Sequence, residues 1–346
     1  MRKKICTILC AGLLISAVLI SLFYFIFLKP MAHYDISLAP VDADNVYHNT
    51  IVDNGSSLVQ IGETLYYNYG NGDGFRYGTY EITESTTRRV YWKGPSLSPE
   101  NTDLDNVYDG SIAKDIETYL DVSTGEWYHV DSGIPQELKP CDSFAVRGVW
   151  YFNTLGDHQA LYRMQGDEPQ LLVSADELGE SGMPKHQYID DKYMYYISER
   201  DGICRVSFDE GVKQSVYFDE PGYGENAVSK IRSLLAKDGS AYYLVGSSDI
   251  YETHFKSGTT TLLYHSDDYI SCVNMLGDTL FISDNSAKGG IHTVSVTNRR
   301  QAYLLTNNAR VKEIYLLDSE YVYYNDYHDN LFRINRYTKE IEKVFG

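Results

Sequence analysis

The side chains best placed to do chemistry are acidic ones that recur once per repeat of a pattern described below. They are Asp73, Asp115, Asp157, Asp201, Asp249, Asp284 and Asp326, with His158, His328 and Asp329 beside them. Carboxylates gathered on one face would suit a cationic peptide segment, a divalent ion or a polyhydroxylated ligand. The competing reading is local, because Asp side chains bond their own backbone in tight turns. On the first reading Asp73, Asp157, Asp201, Asp284 and Asp326 are ligand-binding residues; on the second they only shape loops.

Other chemistries find less in the residues. A sialidase-type aspartate box wants Ser-x-Asp-x-Gly-x-x-Trp, and Asp121-Val122-Ser123-Thr124-Gly125-Glu126-Trp127 only brushes against it. That stretch reads more simply as a hairpin turn. There is no Gly-x-Ser-x-Gly elbow, no quinoprotein tryptophan motif and no His-x-x-x-His pair. Asp103-Leu104-Asp105 with Asp109-Gly110, and Asn71-Gly72-Asp73-Gly74, are acidic and glycine-rich but lack the oxygen spacing of an EF-hand loop. No catalytic residue, metal or cofactor is assigned. Tyr69, Tyr223 and Tyr327 fall in loops and are candidates for stacking on a ligand.

The elements that must position these groups are strands. Of 32 tyrosines, many stand in short aromatic or β-branched runs bounded by Gly, Asp, Asn and Ser. Taking Tyr66, Tyr108, Trp150, Tyr195, Tyr242, Leu280 and Tyr323 as markers, the steps are 42, 42, 45, 47, 38 and 43 residues. A second marker follows each: Tyr80, Leu120, Tyr162, Cys204, Tyr251, His292 and Phe332. Each unit reads as four short strands, the first marker on the second strand and the second marker on the third. Seven such units predict an all-β, seven-bladed β-propeller with four-stranded blades, because a closed ring buries both faces of every small sheet. The unit over residues 98–139 has the weakest pattern, and Ala227 to Ala236 is expected to make a helical turn. The acidic loops then fall after the second strand of their units.

The aromatic markers resemble the YWTD repeats of low-density-lipoprotein-receptor-type propellers, most closely at Tyr323-Tyr324-Asn325-Asp326 and Phe281-Ile282-Ser283-Asp284. Asn54-Gly55, Gly62, Leu65-Tyr66-Tyr67-Asn68 and Tyr80-Glu81-Ile82 look like a bacterial family of membrane-anchored propeller proteins of unassigned function. The resemblance implies the fold, and a cell-surface setting in Gram-positive bacteria. The YWTD aspartate is missing from most units, although in such propellers it braces neighbouring blades.

Ahead of the repeats, Met1-Arg2-Lys3-Lys4 is basic, and the 24 residues from Ile5 to Leu28 carry no charge. As a helix that run would reach about 36 Å, enough to cross a hydrocarbon core. It is longer than a signal-peptide core, and Pro30 occupies the −3 position before Ala32, the nearest small residue, so cleavage is not expected. The lipoprotein reading of Cys10 fails because Leu9 precedes it. The expected order is a basic tail at 1–4, a transmembrane signal-anchor helix at 5–28, a tether at 29–57 and the propeller at 58–346. An edge strand over Val46 to Val52 could help close the ring. With basic residues retained inside, the C-terminal domain is expected to be extracytoplasmic.

Charge narrows the partners. Apart from Arg2, Lys3, Lys4 and Lys29, 26 basic residues face 48 acidic ones, a net charge of −22. Nucleic acid and other polyanions are therefore not expected partners. Cys141, Cys204 and Cys272 fall inside strand patterns and are expected to be small buried residues, not a disulfide framework. The functional expectation is a membrane-anchored, non-enzymatic binding module for protein, peptide or wall glycan. A propeller-type extracellular glycan hydrolase or lyase is the alternative.

Overall fold

The computed structural model describes residues 12, 14–22 and 31–38. Within 57–346 it describes all but 71–75, 93–105, 109–110, 139, 147, 155–159, 175, 177–184, 199, 219–226, 287–288, 306–309 and 317. Twenty-eight strands form seven four-stranded antiparallel sheets, each in simple sequential order. The blades cover residues 58–92, 106–129, 140–173, 185–216, 231–265, 270–305 and 311–345. First strands touch between blades 2 and 3, 4 and 5, 5 and 6, and 6 and 7, which sets the first strands along the axis.

Apolar clusters join every consecutive pair of blades. Tyr66 with Leu120 and Tyr119 with Trp150 fill the first two junctions, and Met194 packs with Tyr151 at the third. One large cluster runs through blades 4, 5 and 6, another joins 6 to 7, and a last one joins 7 to 1. The ring is closed. Second strands lie between two neighbouring sheets, so Leu65, Tyr66, Tyr67 and Asn68 are all buried in a row and alternation is lost. Fourth strands form the rim and keep an exposed position, as at Leu262 and Ile341. Each fully buried aromatic side chain contributes about 1.5–3 kcal/mol.

Third and fourth strands meet at tight turns that need a left-handed residue. Gly125, Gly166, Gly211 and Gly258 supply it, with φ between 62° and 75°. At Gly125 a Cβ would also come within 2.0 Å of the Val90 carbonyl oxygen in blade 1. The Asp121–Trp127 stretch is such a hairpin: Asp121 accepts the Ser123 amide at 2.9 Å, and the Gly125 amide returns to the Asp121 carbonyl.

Four expectations need correction or restriction. Tyr108 lies on the first strand of blade 2 (Asn106–Tyr108), not the second, which is Ser111–Asp115. That second strand buries Ile112 and Ala113 and has no aromatic residue to carry the marker; Tyr119 and Trp150 fill the space instead. Only Ala227–Lys230 forms a helical turn, because Ile231 onward joins the axial strand Ile231–Lys237. Cys204 and Cys272 are buried, but Cys141 is exposed; it sits at the start of Pro140–Val146, beside a register shift opposite Asn153 and Thr154. At the N-terminus the described helical residues are 12 and 14–22, with Leu14, Leu19 and Ile20 exposed. Among the described residues no helix is long and apolar enough to cross a membrane. The rest of the 5–28 run and the Val46 to Val52 stretch lie outside the described residues.

Residues 31–38 are docked where blade 7 meets blade 1. Ile36 and Leu38 are buried with Leu65, Ile82, Tyr323 and Phe345. The Tyr34 hydroxyl donates to the Gly346 carbonyl at 2.9 Å, and Arg333 donates to the Ser37 carbonyl at 2.7 Å. Among the described residues each blade is built from consecutive strands, and no strand is shared across this closure. The segment is a strap over the seam.

Candidate binding site

The described aspartates each have donors close by. Asp201, after the second strand of blade 4, accepts Lys213 Nζ at 2.7 Å and the Arg200 guanidinium at 3.0 Å. The Arg200 hydrogen bond leads in holding its carboxyl down to about 2; burial opposes it, and Lys213 adds to the lowering. Asp326 accepts the amides of His328 and Asn330, both at 2.9 Å, and so shapes its turn. Asp115 does the same through the Glu117 amide, and Asp249 meets His265. Asp73, Asp157, His158 and Tyr223 lie outside the described residues.

Asp284 differs from these. It is buried, and it accepts Ser266 Oγ at 2.8 Å, the Ser286 amide at 2.8 Å and the Tyr264 hydroxyl at 2.6 Å. Tyr264 and Ser266 belong to the end of blade 5, so this carboxylate ties two blades together. Burial alone would raise its carboxyl, but Tyr264, Ser286 and Ser266 outweigh that and hold it below the usual range. Among the described residues no group of three or more His, Cys, Asp or Glu side chains is placed to hold a metal ion.

A pocket of about 610 Å³ lies at the other end of the strands. In an up-and-down sheet the turns joining strands 1–2 and 3–4 share one edge, and the turn joining strands 2–3 lies at the opposite edge. The pocket is formed by the 1–2 turns of blades 4, 5 and 6, and Leu316 of blade 7 completes the wall. It therefore opens on the face away from the acidic loops. Ala236, Met275 and Leu276 come from axial strands, so the pocket reaches toward the channel mouth. Tyr188, Tyr193, Tyr195 and Arg205 extend it outward along blade 4.

Its polar walls are held in place by other contacts. Asp190 accepts the Lys192 and Tyr193 amides at 2.7 Å and the Tyr195 hydroxyl at 2.9 Å. Burial, followed by the Asp190 charge, pushes the Tyr195 hydroxyl well up, so it stays protonated. Arg205 lies between the rings of Tyr193 and Phe255, 4.3 and 4.6 Å from their centroids, and donates Nε to Gln214 Oε1 at 2.7 Å. Lys237 pairs with Asp278 at 2.6 Å, and Asn274 donates to the Ile314 carbonyl at 3.0 Å. Charged and amide groups ringing apolar and aromatic walls make a site that can orient a ligand with both kinds of surface.

The sequence reading selected the turns with one recurrent acidic residue and passed over this one. The signal available was the density of Tyr188, Tyr193 and Tyr195 around Asp190-Asp191-Lys192. Of the tyrosines expected in loops, Tyr69 instead ends the second strand of blade 1 (Thr64–Tyr69) and packs edge-on with Tyr77 and Tyr80, while Tyr327 is exposed.

No protein-family model matches the chain, and no curated protein does. Among solved structures it is similar to the computationally designed protein Ika8, at 10% identity and a TM-score of 0.53, over 88% of each chain. It is also similar to the extracellular domain of BT4673 from B. thetaiotaomicron, a protein assigned to hybrid two component systems. Identity there is 14% and the TM-score 0.50, over 90% of this chain and 40% of that one. The chain thus spans less than half the length of that neighbour. At these identities the likeness speaks to the propeller architecture and to nothing narrower.

Proposed function

We propose that the chain is a membrane-anchored, extracytoplasmic binding module whose propeller recognises a protein, peptide or wall glycan. The observation that carries the reading is the pocket at blades 4–6, with walls fixed by hydrogen bonds and ring stacking before any ligand arrives. Such preorganisation lowers the entropic cost of binding. The uncharged run after Met1-Arg2-Lys3-Lys4 supports anchoring with the propeller outside. The blade-to-blade tie made by Asp284 supports kinship with YWTD-type propellers.

The test is capture by the full-length chain, solubilised in detergent and immobilised, from separate pools of wall fragments and secreted proteins. A ligand retained by the wild type and lost when Leu276→Trp fills the pocket supports the reading. Retention of nothing from either pool by a folded chain would overturn it.

A further inference from the structure

Blades 4 and 7 carry one constellation in matching places. In blade 4, Asp190 caps the turn, Tyr195 follows on the second strand, and Arg205 on the third strand lies 4.3 Å from the Tyr193 ring. In blade 7, Asp318 accepts the Glu320 and Tyr321 amides, Tyr323 follows on the second strand, and Arg333 lies 4.2 Å from the Tyr321 ring. Arg205 stands across from Gln214, as Arg333 stands across from Glu342.

Two differences separate the pair. Arg333 has a counter-charge, since its guanidinium meets Glu342 at 2.5 Å; Arg205 has the neutral Gln214, and no described carboxylate pairs with it. Arg333 is also covered by peptide, donating Nη1 to the Ser37 carbonyl at 2.7 Å while Ile36 and Leu38 of the strap pack beside it. Arg205, only 9% exposed, instead lines the pocket. A guanidinium has five donors in a fixed fork, and a buried cation without a counter-charge gains strongly from an acceptor.

We propose that the pocket binds an extended peptide, with a carbonyl or terminal carboxylate oxygen on Arg205 and an apolar side chain against Met275, Leu276 and Leu316. The strap shows the mode within the same molecule: residues 31–38 carry no helix or strand and lie on the matching arginine by a main-chain carbonyl. This rests on the binding-module reading and names its ligand class.

The test uses a synthetic peptide of residues 31–38, as the free acid and as the C-terminal amide, titrated into the full-length chain in detergent. The seam at blade 7 is already taken by the tethered strap, whose effective concentration exceeds that of added peptide. Binding is expected to fall about tenfold to a hundredfold in Arg205→Gln, the loss of a charge-assisted hydrogen bond. Gln214→Glu, which gives Arg205 the partner that Arg333 has, is expected to weaken binding without disturbing the fold, and it decides the matter if Arg205→Gln unfolds. Equal binding of acid and amide marks a main-chain carbonyl as the acceptor; preference for the acid marks the terminal carboxylate. Absence of binding by folded wild type, or unchanged affinity in folded Gln214→Glu, would overturn the proposal. Wall glycan bound in place of peptide sinks this inference alone, whereas silence toward glycan, peptide and secreted protein together sinks the binding module as well.

Discussion

Asp284 and Tyr264 are joined by a 2.6 Å hydrogen bond that crosses from blade 6 to blade 5. The tyrosine hydroxyl has one proton and gives it to the carboxylate, so at 2.6 Å from His292 Nδ1 it must accept. Tyr264→Phe leaves a buried carboxylate and a buried imidazole N–H each one partner short. Unsatisfied buried groups cost about 1–3 kcal/mol each, and Ser266 and Ser286 offset part of the loss, so a destabilisation of about 2–3 kcal/mol is expected by urea unfolding. A change below about 0.5 kcal/mol, the size of an ordinary surface substitution, would show that the bond is no brace.

The same arrangement predicts a pH dependence. With Nδ1–H committed to Tyr264, His292 Nε2 is a lone-pair nitrogen, buried without a partner. Burial depresses its pKa below the ordinary 6.5, and the Asp284 charge only partly opposes this. A depressed pKa contributes stability that is present above about 6.5 and lost as pH falls through the lower folded value. Asp284 is depressed too, so its contribution goes only in the more acid range below the usual carboxylate value. The His292 share of the unfolding free energy is expected to fall as pH drops below about 6.5. It is opposed by His265, which the Asp249 hydrogen bond holds above its ordinary value, and the difference between wild type and His292→Phe isolates the His292 share while keeping the acid limb. An unchanged slope in the variant would assign the decline elsewhere.

The legible part of this fold was the spacing of residues that a propeller buries twice over. Second strands lie between two sheets, so they must be aromatic or aliphatic at nearly every position, and Tyr66, Trp150, Tyr195, Tyr242, Leu280 and Tyr323 all lie on them. Blade 2 escaped because Ala113 occupies its second strand and the bulk is supplied from neighbouring strands. The pocket at blades 4–6 was not legible for a different reason. Its floor is made by Ala236, Met275 and Leu316 from three blades, each ordinary in its own repeat, and only ring closure brings them together. The bracing role of Asp284 was legible only through the YWTD likeness of Phe281-Ile282-Ser283-Asp284, since its partners Tyr264 and Ser266 lie in the unit before it.

Two turns break the glycine rule and predict effects of opposite sign. Lys339 and Arg299 hold φ of 66° and 60° where four other blades have glycine. Lys339 is exposed and bonds only locally to the Arg336 carbonyl, so Lys339→Gly should stabilise by about 0.5–1 kcal/mol through relief of the left-handed strain. Arg299 pairs with Glu252, which is 2% exposed. Arg299→Gly leaves that buried carboxylate with only the Tyr242 hydroxyl and His254 Nε2 at 3.6 Å, and should cost about 1–2 kcal/mol after discounting for the half-exposed arginine. Thermal unfolding of both variants distinguishes the two; the same sign in both would mean that strain, not pairing, dominates each turn.

Cysteine reactivity should divide along burial. Burial is the leading cause that pushes the Cys204 and Cys272 thiols up to about 12, so neither offers a thiolate at neutral pH. Cys141 is exposed. In a Cys6→Ser/Cys10→Ser background, native protein should take up about one equivalent of maleimide and denatured protein about three. Mass spectrometry locates the label, and rapid native modification of Cys272 would contradict its position between blades 6 and 7.

The strap gives the last prediction. Across the seam, Phe345 of blade 7 packs with Tyr67, Tyr69 and Tyr80 of blade 1, and among the described residues no backbone ladder spans the gap. Ile36 and Leu38, 4% and 6% exposed, complete that cluster from outside both sheets. Ile36→Ala and Leu38→Ala should therefore each cost about 2–4 kcal/mol, as truncation of a buried aliphatic side chain does. Because the two blades share only side-chain contacts here, the loss should appear first as faster amide exchange at 64–69 and 341–345, while blades 4 and 5 stay protected. Faster exchange confined to 31–38 would mean that the seam holds without its strap.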